Sequence, residues 1–553
     1  MVAAVDFTIP INNVSAQEKG VKGVLNFPLI ELASISRRVV LVRLPYQMIY
    51  SVYGKLPQNR EIRPPLGLLY VAGALEQAGH KVHIIDAEPQ MLALDVIFQN
   101  ILALSPEFVG LTATTPEIHG VEELCRMIKT HHHNIITIVG GAHISAVPRE
   151  TLENCPQIDY AVVGEGELSA VHVVNNLPQE RIIRSKDIDC VDDVPLPARH
   201  LINYEWYKYP WPGKGLVNMD VLESIRGCPF MCTFCSVRGA KPRARDVVKV
   251  VDEIEDSYKK YGTKLFMFFD DTLTVNQQHV FNLCDEIIKR GLNKKLVFYA
   301  NTRANTTTPE MLNKLIEAGV TEMSMGVETG SDEMMKAIRK GCTTQQYKQV
   351  YQWMYQKGLQ TRASFIVGLP YETHETVRQT IDFSKKIDLM RCSVNILTPY
   401  PGTQTYKQAM AHDGLHLICS DWKDFKRWGT SVVRTDDLTV EDLEWYQKRF
   451  LTEFYSQPKV LWYHLKQILI GNWSFYFYRP VLFAIKNRIK GFITHSRPPT
   501  WRNYLERNKN GIVIGGEIKS RIQDIRVSEN IPTGLEHDIV PMHSKPMEIR
   551  RKV

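Results

Sequence analysis

Short apolar runs alternate with longer stretches of helical spacing along most of the chain. Between residues 37 and 180, five runs rich in aliphatic and β-branched residues predict strands, and the segments between them have the apolar period of amphipathic helices. The predicted strands are VVLVRL, KVHIID, EFVGLTAT, IITIVGG and YAVVGEGE. Strands that alternate with helices favour a parallel sheet with helices on both faces. We therefore predict a doubly wound, Rossmann-like α/β domain over residues 37–180.

The alternation resumes between residues 220 and 425, where six further strand–helix repeats follow one another. Their strands are VLESIRG, KLFMFFDD, LVFYANTR, EMSMGVET, TRASFIVG and RCSVNILTPY. Six such repeats favour a partial (β/α)6 barrel, which is a second α/β domain. Functional side chains in a barrel of this kind lie at the C-terminal ends of the strands.

The remaining segments have a weaker or different pattern. Residues 1–36 are predicted to be an N-terminal extension and residues 181–219 a linker. Residues 426–507 have helical spacing with many aromatic and basic side chains, so we predict a helical C-terminal region. Residues 508–553 are polar and are predicted to be a tail.

Composition and charge narrow the class of protein. The chain has 553 residues, of which 44% are hydrophobic, and a formal net charge of +7. This composition is that of a globular protein, and the positive excess is too thin to predict a nucleic-acid partner. The sequence shows neither a signal peptide nor an apolar run of spanning length, so we expect a cytoplasmic location.

Three of the ten cysteines lie close together, in the segment RGCPFMCTFCS. Cys228, Cys232 and Cys235 have the spacing Cys-x3-Cys-x2-Cys, directly after the first strand of the second domain. Thiolates are soft ligands that select iron–sulfur clusters, zinc or copper(I). Three thiolates on a four-iron cube leave one iron open, and an open metal position is what a catalytic site needs. The alternatives are a zinc knuckle that borrows a remote fourth ligand and an accidental grouping.

The cysteine segment closely resembles that of the radical S-adenosylmethionine (SAM) superfamily, including the aromatic Phe234 before the last cysteine. The resemblance implies that Cys228, Cys232 and Cys235 hold a 4Fe-4S cluster. It also implies that SAM chelates the fourth iron and is cleaved to a 5′-deoxyadenosyl radical. An electron donor such as flavodoxin or ferredoxin would then be a partner.

The resemblance extends through residues 220–405 and implies further SAM contacts. Asp270 in FFDD stands where the family contacts the SAM amino group, although the family's Gly-Gly-Glu is absent. Glu328 in VETGS stands where relatives bind the ribose, and Arg303 in NTR is a candidate partner of the SAM carboxylate. The segment FIVGLPYET resembles the motif beside the adenine. A solvated side chain or a helix cap is the alternative role for each of these residues.

Residues 37–180 look like the cobalamin-binding domain that precedes the barrel in a large radical SAM subfamily. The usual Asp-x-His-x-x-Gly motif is missing, so no imidazole from that motif is expected on the cobalt. The alternative is a related fold that no longer binds cobalamin. The resemblance places one group of residues near the corrin or its nucleotide tail: Thr112, Thr114, Thr115, Gly140, Gly141, His143, Gly164 and Glu165.

Together these features predict a cobalamin-dependent radical SAM methyltransferase acting on an unactivated carbon. We expect a small-molecule or a lipid- or tetrapyrrole-like substrate, with Ser393 and Asn395 facing it. A cobalamin-linked cyclase resembling the anaerobic magnesium-protoporphyrin ester cyclase and a non-catalytic cobalamin or cluster sensor are the alternatives. The aromatic and basic stretch from Trp462 to Ile493 predicts either a peripheral membrane contact or a helical cap on the barrel.

Overall fold

The computed structural model describes residues 30–46, 62–184, 187–211 and 215–469, together with residues 482, 486, 497, 498 and 500. Almost all of the predicted N-terminal extension, most of residues 470–507 and the whole predicted tail lie outside the described residues. No helix in the described part of the chain is both long and apolar enough to cross a lipid bilayer.

The first α/β unit is built on a sheet of six parallel strands. They are β1 (Arg38–Arg43), β2 (Lys81–Asp86), β3 (Phe108–Thr112), β4 (Ile136–Gly140), β5 (Tyr160–Val163) and β6 (Ile182–Arg184). The strand order is β2-β1-β3-β4-β5-β6, so the chain moves outward from β1 and then returns to its other side. Such a reversal between β1 and β3 creates a crevice at the C-terminal ends of the strands, where doubly wound sheets bind ligands.

Helices cover both faces of this sheet. They are α1 (Leu66–Gln77), α2 (Leu94–Ala103), α3 (Ile118–His131), α4 (Ala142–Ala146), α5 (Pro148–Asn154) and α6 (Gly166–Asn176). Alternate residues of β1 point to opposite faces, so Val40 and Val42 join one apolar core while Val39 and Leu41 join the other. The predicted doubly wound fold is therefore confirmed.

The second unit is built on a seven-stranded sheet. Its strands are β7 (Lys208–Trp211), β8 (Gly215–Leu222), β11 (Leu265–Phe268), β12 (Val297–Thr302), β13 (Val320–Glu328), β14 (Gln360–Val367) and β15 (Arg391–Ile396). The order is β15-β14-β13-β12-β11-β8-β7, with six parallel strands and an antiparallel β7 at one edge. Among the described strands β15 and β7 do not pair, so the sheet is a partial barrel as predicted.

Two short ribbons complete the strands of this unit. They are β9 (Ile225–Arg226) with β10 (Arg243–Ala244), and β16 (Leu415–Leu417) with β17 (Val433–Thr435). The helices that follow the barrel strands are α7 (Val247–Tyr261), α8 (Gln277–Lys289), α9 (Pro309–Glu317), α10 (Asp332–Ala337), α11 (Thr344–Gln356), α12 (His374–Lys386) and α13 (Gln404–Met410). Local signals fix their ends: the Asp246 carboxylate caps the first turn of α7, and Gly262 ends it in the left-handed region.

The segment 181–219, predicted as a linker, contributes to both sheets. Residues 182–184 form β6 of the first sheet, and residues 208–211 form the edge strand β7 of the second. Both strands are three or four residues long, too short to show an alternating pattern. An apolar cluster that includes Tyr70 of α1 and Met267 of β11 joins the two units beside this segment.

Two helices follow the barrel, α14 (Val440–Tyr455) and α15 (Pro458–Leu469). The side chains of Leu443, Phe450 and Phe454 on α14 belong to the same apolar core as the barrel strands. The helical prediction for this part of the chain agrees with these two elements.

Candidate active site

The three clustered cysteines lie in the loop between β9 and β10, beyond the C-terminal end of β8. Cys228 and Cys232 are buried, and Cys235 is partly exposed. The loop folds back on itself through a hydrogen bond from the Gly239 amide to the Phe230 carbonyl. The Thr233 amide donates to the Ile338 carbonyl, which fastens the loop to the segment that follows β13 and α10.

The two adjacent aspartates after β11 hold the start of the cysteine loop. Asp270 accepts hydrogen bonds from the Ser224 hydroxyl at 2.6 Å and from the Ile225 amide at 2.6 Å. Asp271 accepts from the Gly227 amide at 3.1 Å. Asp270 is fully buried, and burial raises its pKa to about 7. In the structure, the side chain predicted to contact the SAM amino group thus supports the backbone before the cysteines.

A glycine is required where the chain enters the loop. Gly227 has a φ of +101°, and a Cβ at this position would lie 2.6 Å from the Lys241 carbonyl oxygen. Any side chain here would therefore displace either the segment that leads into β10 or Cys228.

Arg303, at the end of β12, lies against the cysteine loop. Its guanidinium donates to the Cys232 sulfur at 3.5 Å and lies over the Phe230 ring at 3.7 Å. It also donates to the Lys340 carbonyl and approaches the Cys342 sulfur at 3.8 Å. The residue predicted to bind a carboxylate therefore places a fixed positive charge beside a cluster ligand.

Glu328 ends β13 with an unusual backbone, since its φ is +67°. Its carboxylate accepts a hydrogen bond from the Lys340 ammonium at 2.9 Å, and both side chains are buried. The Lys340 ammonium also lies 5.7 Å from the centre of the Phe234 ring. Sequence reasoning missed Lys340, because its role depends on a pairing across twelve residues of loop and helix.

These residues suit a 4Fe-4S cluster. A cube binds each cysteine through a different iron, so the three sulfurs need not converge on one point. In the described residues, no three His, Cys, Asp or Glu side chains are arranged to hold a single metal ion. The buried cations Arg303 and Lys340 provide the positive charge that an anionic cluster needs in an apolar setting.

The inner face of the barrel sheet is polar where the outer face is apolar. Alternate residues of β13 to β15 point outward into the helix-packed core, among them Met325, Phe365 and Val394. The other set faces inward, and several of its members are small, polar and partly exposed. They include Ser324, Ser364, Ser393 and Asn395. This face extends from the buried Arg391–Glu322 ion pair to Glu328 at the level of the cysteine loop.

The residues predicted to meet cobalamin lie at one edge of the first sheet, at the C-terminal ends of β3, β4 and β5. Gly141 has a φ of +96°, and a Cβ there would come within 2.7 Å of the Thr112 hydroxyl and 2.8 Å of the Ala113 carbonyl. Thr114 caps the following turn, and its amide and hydroxyl both donate to the Glu117 carboxylate. Gly140 is the last residue of β4 and directly precedes Gly141. Gly141 therefore lets the backbone after β4 pack closely against the end of β3, and backbone and hydroxyl groups line this edge.

His143 is buried within this edge rather than at its surface. One ring nitrogen lies 3.3 Å from the Thr115 hydroxyl, and the ring packs edge-on against Trp422 at 5.4 Å. Burial, with a smaller contribution from nearby His119, lowers its pKa to about 3, so the imidazole stays neutral at physiological pH. Sequence reasoning missed Trp422, since no local pattern connects it to a loop almost three hundred residues earlier.

Gly164 and Glu165 follow β5 at the same edge. Gly164 has a φ of +84°, and its amide donates to the Ser145 hydroxyl at 3.0 Å. The Glu165 carboxylate points toward the second unit, where it forms ion pairs with Arg226 and Arg243. This contact differs from the predicted role of Glu165 beside cobalamin.

Two family models match the chain in the order of the two units. A model described as the B12 binding domain matches residues 60–174, and one described as the radical SAM superfamily matches residues 222–384. The first match covers the sheet edge with His143, and the second contains all three clustered cysteines.

Comparison with known proteins also points to B12-binding radical SAM proteins. The "uncharacterized methyltransferase PH0819" of Pyrococcus horikoshii is 31% identical over 419 residues, covering 72% of this chain and 89% of that protein. The anaerobic magnesium-protoporphyrin IX monomethyl ester cyclase of Cereibacter sphaeroides is 29% identical over 62% of this chain and 60% of its own length. The structure of the radical SAM methyltransferase TsrM from Kitasatospora setae, with cobalamin and a 4Fe-4S cluster bound, shares the fold. Its TM-score is 0.59 at 16% identity, over 82% of this chain and all of that chain.

Proposed function

Since this chain belongs to the methyltransferase-type B12-binding radical SAM family, we propose that it methylates an unactivated carbon of a lipid- or tetrapyrrole-like small molecule. One observation carries this proposal. The cysteine loop of the barrel and the cobalamin-type edge of the first sheet lie in one chain and meet directly, through Glu165 and Arg226. An enzyme that passes a methyl group from one cofactor to a radical made at another needs both sites together.

The bound cofactors would supply the radical and the methyl group, while the protein binds and orients them. Cys228, Cys232 and Cys235 would hold the cluster, and Arg303 would donate a hydrogen bond to its Cys232 ligand. Asp270 and Asp271 keep the entry to the loop in place. On the other side, the turn at Gly141 and the neutral His143 would meet the corrin or its nucleotide tail.

The polar inner face of the barrel is our candidate substrate surface. Its small side chains, including Ser364 and Ser393, are partly exposed and lie between the ion pair of Arg391 and the cysteine loop. Hydroxyl and amide groups on this inner face can orient a substrate that carries a few polar atoms on a large apolar frame. The cyclase relative, whose name specifies a magnesium porphyrin, supports a macrocycle as one such substrate.

Anaerobic reconstitution with iron, sulfide, cobalamin and SAM tests the proposal. With extracts rich in lipids and tetrapyrroles, we expect 5′-deoxyadenosine and a product heavier by one methylene per turnover, detected by mass spectrometry. Cys232→Ala should abolish the cluster absorbance and all deoxyadenosine while cobalamin stays bound. Cys284→Ala, a buried thiol on α8, is the matched control and should change neither.

The same experiment separates the alternatives. Deoxyadenosine formed without any gain of a methylene would support the cyclase instead, in agreement with the second relative. If the reconstituted protein binds both cofactors and SAM but forms no deoxyadenosine, it is a sensor and the proposed reaction is wrong.

We also propose that a flavodoxin or ferredoxin supplies the electron at the outer side of the cysteine loop. Cys235 is the partly exposed ligand, and the neighbouring Met231 side chain is 46% exposed. Electron transfer requires a close approach to the cluster, which this side permits. Met231→Glu should slow cluster reduction by a reduced flavodoxin and leave reduction by dithionite unchanged; equal rates with both donors would contradict this docking side.

Helix α15 is our candidate for a contact with an anionic membrane surface. Trp462, Leu465 and Leu469 share one face of the helix and are 64%, 47% and 71% exposed. The chain contains no Asp or Glu between Glu453 and Glu506 but eight Lys or Arg, so its charge complements anionic lipid. A lipid-like substrate would be reached most readily from such a surface.

Sedimentation with vesicles tests this contact. We expect the protein to pellet with vesicles of mixed phosphatidylglycerol and phosphatidylcholine, and less with phosphatidylcholine alone. Replacing Trp462, Leu465 and Leu469 with alanine together should reduce binding strongly. Met410→Ala removes an apolar side chain that is 56% exposed elsewhere and serves as the control. Equal pelleting of the triple variant and the wild type would exclude α15 as the contact.

A further inference from the structure

A group of five buried charges lies between the two α/β units, directly before the cysteine loop. Arg226 and Arg243 are paired residues on the antiparallel ribbon of β9 and β10. Like charges opposite each other destabilise such a ribbon unless anions lie between them. Three carboxylates provide that compensation: Glu165, Glu167 and Glu223. All five side chains are at most 9% exposed.

Arg226 is the centre of this group. Its guanidinium contacts Glu165 at 3.0 Å, Glu167 at 3.0 Å and Glu223 at 2.8 Å, and lies 5.3 Å from the centre of the Tyr70 ring. A planar guanidinium presents its five donors in a fixed fork and so holds the three carboxylates in one arrangement, whereas a lysine ammonium is a single rotating point charge. Because the group is buried, losing any one partner would leave an uncompensated charge.

The contact of Arg226 with Glu165 and Glu167 joins segments beside the two predicted cofactor sites. Glu165 and Glu167 lie in the Gly164–Glu167 turn after β5, at the edge predicted to bind cobalamin, and begin α6. Arg226 stands two residues before Cys228, and Gly227 between them has no freedom to accept a side chain. Only Gly227 separates Arg226 from the first cluster ligand, and its amide is held by Asp271 at 3.1 Å, so a displacement of the turn reaches Cys228 through a single residue.

We propose that Arg226, Glu165 and Glu167 form a latch in which the turn of the first unit fixes the cysteine loop relative to the corrin. Arg226 is a positioning residue that acts through Cys228. Glu165 and Glu167 bind this arginine and are not cobalamin ligands. This proposal rests on the part of the proposed function that assigns a cluster and cobalamin to the protein. It does not require that the product be methylated.

The distance between the two cofactors is the direct measurement. In protein loaded with the reduced cluster and cob(II)alamin, pulsed electron paramagnetic resonance reports the dipolar coupling between the two paramagnetic centres. We expect a single narrow distance distribution in the wild type. Arg226→Gln and Glu167→Gln should each broaden it, and the double variant should be no broader than either single one, because both remove the same contact.

A second measurement uses the coupling between the sites. Cobalamin should slow the removal of iron by a chelator in the wild type, by about fivefold or more if the coupling is typical of linked sites. In Glu167→Gln, which changes one atom of a side chain that is not a cluster ligand, this protection should be lost while iron is still incorporated.

Arg391→Gln is the matched control. It removes a buried arginine that pairs with one buried carboxylate, Glu322, within the barrel sheet. It should lower stability but retain both the narrow distribution and the protection by cobalamin. Wild-type behaviour of Glu167→Gln in both measurements would overturn the latch, as would equal broadening in Arg391→Gln. A failure of methyl transfer with the latch measurements intact would contradict only the proposed function.

Discussion

The barrel sheet is joined on its two sides by contacts of opposite character. Toward the first unit, the latch places charged side chains at the centre of the contact, beside an apolar cluster that includes Tyr70. Toward the C-terminal side, α14 packs Phe450 and Phe454 into the barrel core, and its charges lie at the rim. We call this second contact, formed by α14 with β14, β15 and α12, the aromatic joint.

The difference shows what each contact can do. Apolar packing is non-directional, so the aromatic joint stabilises the barrel without fixing any single atom. Buried ion pairs contribute little net stability because both partners lose water, and their attraction offsets that loss only when the geometry of the pair is good. The latch therefore suits positioning, and the aromatic joint suits stability. The predictions below test this division.

The largest effect is expected from Phe450→Ala. The Phe450 ring is fully buried and lies 4.9 Å from the Phe365 ring on β14. Its loss should lower the free energy of unfolding by about 3–5 kcal/mol, measured by urea denaturation of the full chain. Trp462→Ala, which removes an exposed aromatic from α15, should stay within about 0.5 kcal/mol of the wild type. If Phe450→Ala instead broadened the distribution of distances between the cofactors in the folded protein, the aromatic joint would also act in positioning, and its separation from the latch would be wrong.

An intermediate effect is expected from Tyr455→Phe. The Tyr455 hydroxyl accepts from the Cys392 amide at 3.1 Å and donates to the Cys392 carbonyl at 2.8 Å, on the edge strand β15. Removing it leaves two buried backbone groups without this partner and should cost about 1–3 kcal/mol. Tyr355→Phe removes a hydroxyl from a side chain that is 54% exposed and should be neutral. Equal stability of the two variants would show that this part of the joint is held by packing alone.

The smallest effect concerns pH. Although burial opposes it, hydrogen bonds from Lys385, Arg449 and Arg378 lower the pKa of Glu453 from its ordinary value to about 2. A carboxyl with a depressed pKa stabilises the fold above its unfolded pKa and loses that contribution as pH falls toward its folded value. The contribution should be on the order of 1 kcal/mol, because the cationic partners are partly exposed and screened.

Glu453→Gln measures this rim contribution. The stability difference between wild type and variant should be constant above about pH 5 and shrink as the pH approaches 3. Glu153→Gln changes an exposed carboxyl on α5 and serves as the control. A difference that persists unchanged at pH 3 would place the effect in packing rather than in charge.

The sequence was sufficient to predict the fold class because the apolar periods of both sheets are local. It was also sufficient for the three-cysteine loop, whose spacing lies within eight residues. It could not predict the two short strands β6 and β7, which are set by pairing with distant neighbours. The contacts of Lys340 with Glu328 and of Trp422 with His143 were missed for the same reason, since tertiary packing alone brings them together.

The pairing of Glu165 with Arg226 limits how this architecture can be recombined. If a barrel of this type received a foreign first unit, the chimera would bury two arginines with only Glu223 of the barrel left to compensate them, unless the donor turn carried acidic residues at the same two positions. The two halves are therefore not interchangeable modules, and any engineered exchange must transplant the acidic turn together with the arginine ribbon.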